Sequence, residues 1–106
     1  MDNSAAQLWV KGKIQATCAC ADNWGKPNPG GFGTFFIYMS ELPYVPNGYN
    51  RVVIRSDHPA YNAVVQSAIE AKVSDKTVAL CYVESCETRG NSWDFGQLAI
   101  DIPPHI

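Results

Sequence analysis

Two histidines stand in the chain, and one of them has a partner at once: His58 follows Asp57, a pairing in which a carboxylate can orient an imidazole as a base. The same two residues, with Ser56, also precede an apolar-periodic stretch that opens at Pro59, which makes them helix-capping candidates. His105 lies in a terminal tail. The chain has neither a Gly-rich phosphate loop with a following Lys nor a Gly-x-Ser-x-Gly elbow, and Cys81 and Cys86 have no histidine beside them. This pattern predicts no catalysis, no cofactor and no metal. Other side chains point to binding instead. Trp24, Tyr44, Tyr49, Tyr82 and Trp93 fall in or beside turn-rich stretches, where ring faces can stack on flat ligands or sugar rings. Ser56, Asp57, Glu84, Asn91 and Ser92 are hydrogen-bonding groups near them. Any one of these aromatics is better explained by core or interface packing. Together, with few charges around them, they predict a neutral polar ligand such as a glycan, contacted by Trp24, Asp57, His58, Tyr82, Glu84, Asn91 and Trp93.

The cysteines carry the remaining chemistry. Cys18 and Cys20 are two apart and share one face of a strand, while Cys81 and Cys86 fall in a later apolar segment. Four cysteines allow three full pairings, and spacing does not choose among them. An even count in a short chain predicts one or two disulfides in an oxidising compartment. Reduced core thiols are the alternative, and Cys-x-Cys with Cys-x4-Cys matches structural zinc knuckles poorly.

Composition narrows the class. A chain of 106 residues fits one domain, here residues 1–106 with a loosely ordered tail at 1–7. Apolar residues make up 46% and charged residues only 17%, so part of the surface must be neutral or apolar and an oligomer is expected ahead of a monomer. The net charge is −2 and the lysines and arginines are scattered, which is not the basic footprint of a nucleic-acid binder. No apolar run approaches the roughly 18 residues of a membrane span, so no membrane insertion is expected. The opening Met1-Asp2-Asn3-Ser4 lacks a signal peptide's basic start and apolar run. The expectation is then a cytosolic chain, or one whose signal has been removed.

Leu8 to Cys20 alternates with period two and predicts one long strand, bent at Gly12. Residues 21–33 hold glycines and prolines and predict a loop. Gly33–Met39 predicts a second strand, apolar on both sides, and Arg51–Arg55 a third. Tyr61, Val64, Val65, Ala68 and Ile69 recur at helical spacing and predict a helix after Pro59, closed near Ser74-Asp75-Lys76. Thr77–Cys86 and Phe95–Ile102 predict the last two strands, around a polar turn at 87–93. The order β-β-β-α-β-β is that of the OB-fold, a five-stranded Greek-key barrel. A split α+β sandwich shares it.

The second half also carries a resemblance. A helix ending Ile69-Glu70-Ala71-Lys72-Val73, a strand Val78-Ala79-Leu80-Cys81-Tyr82-Val83 and a final strand Gln97-Leu98-Ala99-Ile100-Asp101-Ile102 follow in order. This resembles the receptor-binding B subunits of AB-type bacterial toxins, over about residues 50–102. The resemblance implies a secreted OB-fold, exported through the periplasm, that forms homopentamers, binds cell-surface glycans and delivers a separate A subunit. It implies a pore lined by Gln66, Glu70 and Lys72, and a disulfide from Cys18 or Cys20 to Cys81, with Cys86 taking the remaining partner. The chain departs from the enterotoxin branch at Val83, where that branch has a galactose-stacking Trp. It also departs from the pertussis-like branch, whose serine near the first strands has no counterpart that can be matched here. Two further readings compete with this one. One is an OB-fold interaction or inhibitor module; the other is a single-stranded nucleic-acid binder stacking bases on Trp9, Phe36 and Tyr38.

Overall fold

The computed structural model describes residues 6–21 and 33–100. Along them run β1 (Gln7–Lys13), β2 (Ala16–Ala21), β3 (Gly33–Tyr38), β4 (Arg51–Arg55), α1 (Tyr61–Val73), β5 (Thr77–Val83) and β6 (Trp93–Ile100). The chain is β-rich with one helix, and its strands form one mixed sheet in the order β1-β5-β6-β4-β3-β2. Every pairing is antiparallel except β4 with β6, which is parallel and spans only Val52–Trp93 and Val53–Asp94.

The two outer strands are consecutive in the chain. Were the sheet flat, β1 and β2 would stand about 24 Å apart, five strand spacings. The segment from Lys13 to Ala16 reaches at most about 11 Å. The sheet therefore curls until its outer strands meet at that corner. What the sequence predicts as one strand is thus two, and the break falls at Ile14 and Gln15 rather than at Gly12. Ile14 turns into the core while the Gln15 N–H donates to the Tyr38 carbonyl at 2.8 Å. The strand also begins at Gln7, paired with Val83, inside the tail expected to be loose.

Alternating residues fill the inside of the curl: Phe35, Ile37, Met39, Val52, Ile54, Val78, Leu80 and Tyr82. Val64, Ala68 and Ala71 of α1 close it. Burying each large apolar side chain contributes roughly 1.5–3 kcal/mol. The intervening residues of β3 and β4, namely Thr34, Phe36, Arg51 and Val53, are buried too, so both faces of these strands are covered. β2 behaves otherwise: Ala16, Cys18 and Ala19 are exposed, because its alternating residues are too small to pull a face inward.

The helix starts later than its capping signals predict. Ala60 occupies the N-cap without a side-chain bond, and Asp57 turns back to Arg55 with contacts of 3.1 and 2.7 Å. The buried stripe of α1 also rotates toward Ala71, which leaves Ile69 46% and Val73 79% exposed. Asp75, at φ 56°, ends the helix and pairs with Lys13 at 2.8 Å. The last strand begins at Trp93, two residues early, because Trp93 and Asp94 pair with β4.

All four cysteines are free thiols, so the disulfide implied by the resemblance is not formed. Cys81 lies in β5 between Trp9 and Gln97, whereas Cys18 and Cys20 face Phe36 and Thr34 across β3. Cys20 instead shares a hydrogen bond with the Thr34 hydroxyl. Among the described residues no helix is long and apolar enough to cross a membrane.

Candidate functional site

The turn between β4 and α1 is set by backbone bonds from the His58 N–H to the Arg55 carbonyl and from the Tyr61 N–H to the His58 carbonyl, both 3.0 Å. Within it, His58 Nδ1 accepts the Ala60 N–H at 3.0 Å. In the neutral ring this places the proton on Nε2, which is left as a donor. The imidazole stands edge-on to Phe95, with ring centroids 6.4 Å apart and planes at 86°. Phe95 owes its position to a bulge. Tyr82 pairs with Phe95 and Cys81 with Gln97, so Gly96 has no opposite number. A Cβ at Gly96 would come within 2.8 Å of the Cys81 carbonyl oxygen, and only glycine fits. Bulges of this kind re-aim the neighbouring side chain.

His58 and Phe95 form the shared wall of two depressions. One, of about 140 Å³, has an apolar base at Val53 and Ile54 and a polar rim of Arg55, Asp57, Thr88 and Asp94. The other, of about 250 Å³, runs between α1 and β6 past Ala60, Ala63, Ser67 and Gln97. Asp94 holds the polar side together. Its carboxylate accepts the Ser85 hydroxyl and the backbone N–H groups of Glu87 and Thr88, the latter two at 3.0 Å. Burial pushes its pKa up, but the bonds from Ser85, Thr88 and Glu87 together outweigh that and hold it below the usual carboxylate range. The Arg55 hydrogen bond likewise lowers Asp57. Both are therefore fixed acceptors at neutral pH. Asp57 spends its carboxylate on Arg55 rather than on orienting His58, so their adjacency does not make a carboxylate–imidazole pair.

A second cluster lies under the neighbouring loops. Arg51, only 5% exposed, donates from Nε to Ser92 Oγ at 2.7 Å, from one terminal nitrogen to the Tyr38 hydroxyl and from the other to Asn91 Oδ1 at 3.1 Å. Its guanidinium lies 3.9 Å from the centre of the Phe36 ring and 4.3 Å from that of Tyr49. No carboxylate pairs with it among the described residues, so the cation is held by rings and neutral acceptors. It ties the loop around Tyr49 to the one around Asn91, a link reinforced by the Tyr49 N–H to Asn91 carbonyl bond at 3.1 Å.

The expected contact residues divide accordingly. Asp57 and His58 stand together in the cleft. Asn91 belongs to the Arg51 cluster. Tyr82 and Trp93 pack on each other at 5.5 Å between centroids, and Trp93 Nε1 donates to the Pro43 carbonyl, so both are core aromatics rather than loop platforms. Glu84 is exposed and lines neither depression. Gln66, Glu70 and Lys72 are exposed on α1. Phe36, fully buried beneath Arg51, offers no face to a base. Trp24 and His105, with the Gly/Pro loop beyond Ala21 and the strand end at Ile102, lie outside the described residues. The sequence reading missed Phe95, Thr88, Asp94 and Arg51. The signal for two of them was present: Arg51 opens the strand RVVIR directly before three apolar residues, and Asp94 is the one charge in WDFGQLAI.

Searches against protein-family models, curated proteins and solved structures find no match to this chain.

Proposed function

We propose that this chain is a non-catalytic, OB-type β-barrel that binds glycans as the receptor-binding B subunit of a secreted toxin. On this reading it assembles as a homopentamer and delivers a separate A chain. The observation that carries the reading is the polar-rimmed depression at His58 and Phe95. It combines an aromatic wall, a ring N–H donor and a hydroxyl with two carboxylates kept ionised by their own hydrogen bonds. That set suits a ligand rich in hydroxyl groups and low in charge. The barrel assignment is supported by the curl of the sheet, the short parallel β4–β6 pairing and the helix between β4 and β5. Ile69 and Val73, apolar and exposed along one side of α1, support self-association through the helix. A glycan array, followed by titration of Asp57→Asn and by light scattering, tests both halves. Binding weakened by about tenfold or more in the variant, from a particle near five chains, upholds the reading. A monomer that binds no glycan overturns it.

One observation favours a second reading. Four free thiols suit a reducing compartment, where an OB-type interaction or inhibitor module would present the same α1 face to another protein.

A further inference from the structure

Among the described residues β6 is paired on both sides only at Asp94. Trp93 pairs with β4 alone, and from Phe95 onward β6 pairs only with β5. Beside this stretch runs the 250 Å³ groove, whose opposite wall is α1. The helix presents small residues there, Ala60, Ala63 and Ser67, so the space between it and β6 is left unfilled by side chains. Gly96 and Gln97 are exposed at its floor. The lining includes no Lys, Arg, Asp or Glu.

From this arrangement we infer that Phe95–Leu98 is a docking edge for an extended peptide segment of another protein, which adds beside β6 as a further strand. Among the described residues no strand lies beside the backbone groups of this stretch that point away from β5, and an extended peptide would supply donors and acceptors at the strand repeat. A lining without charge selects a segment with uncharged side chains, alternate ones entering the groove between Ala63 and Leu98. His58 closes one end. This site is separate from the proposed glycan contacts at Arg55, Asp57, Thr88 and Asp94, although the two share His58 and Phe95, and it stands whether or not a glycan binds.

The test uses the full chain labelled with nitrogen-15 and, as probe, a neutral capped hexapeptide of alternating Thr and Val. Saturating peptide is expected to slow hydrogen exchange on the outward amides of Phe95–Leu98. N-methylation of alternate peptide residues, which removes the donors, is expected to weaken binding by roughly tenfold or more. Ala63→Trp, which fills the groove from the helix side without touching the core, should abolish peptide binding and leave glycan binding and the circular dichroism spectrum unchanged. The inference is overturned by equal binding of the N-methylated peptide, or by no change at millimolar peptide. It is also overturned if these amides are already protected in the free protein in proportion to concentration, since a second copy of the chain would then occupy the edge.

Discussion

Asp94→Ala is the substitution whose consequence can be worked most fully. The carboxylate accepts three hydrogen bonds, from the Ser85 hydroxyl and the Glu87 and Thr88 amides, and these fix the turn that follows β5. Bonds to a charged acceptor contribute about 1.5–3 kcal/mol each when buried. The site is partly open to water, which can replace some of what is lost, so the total falls to about 2–3 kcal/mol. Asp94→Asn keeps one oxygen but turns an amide donor toward donors, and about 1–2 kcal/mol is expected. Urea unfolding at pH 7 measures the loss, and hydrogen exchange at Glu87 and Thr88 locates it. The folded carboxylate holds its proton less tightly than the unfolded one, so this contribution is fully present above the unfolded value near pH 4. It is lost as pH falls through the depressed folded value. The difference between wild type and Asp94→Ala should therefore narrow below about pH 4. A variant within about 0.5 kcal/mol of wild type, with unchanged exchange at Thr88, would refute the assignment of Asp94 as the anchor of this turn.

Arg51→Lys keeps the charge but cannot reach Ser92, Tyr38 and Asn91 together. It should cost about 2 kcal/mol in thermal or urea unfolding, and equal stability would show that the fork is dispensable. Gly96→Ala places a methyl group against the Cys81 carbonyl, whereas Gly90→Ala meets nothing within 4 Å, so the first should destabilise and the second leave the midpoint unmoved. Exposed Cys18 should react with a thiol reagent far faster than buried Cys81, whose thiol burial also pushes up, and unfolding should release all four thiols without reductant. Fewer than four would mean that a disulfide forms in solution.

The strands and helix were legible because they carry large apolar residues at regular spacing: Phe35, Ile37, Val52, Ile54 and Leu80 stand where period two places them. The break at Ile14 was not legible. It arises from the curl that brings β1 and β2 together, a long-range demand that no local pattern carries. The cleft was half legible. Asp57 and His58 stand out by type and adjacency, but Phe95 reaches His58 only through the Gly96 bulge, and a lone glycine in a strand does not say which neighbour it re-aims. Tyr82 and Trp93 misled for a related reason, since proximity to a turn in sequence does not decide which way a ring faces.

Occupation of the polar-rimmed depression by a sugar is tested most directly by a glycan-array comparison of wild type with Asp57→Asn. Asp57 lines that depression, lies outside the core and contributes no groove wall to the peptide site. Wild type is expected to retain a defined subset of glycans, and the variant to bind the same subset about tenfold or more weakly. An array on which wild type binds nothing, or on which the two proteins bind alike, would contradict sugar occupation of the depression.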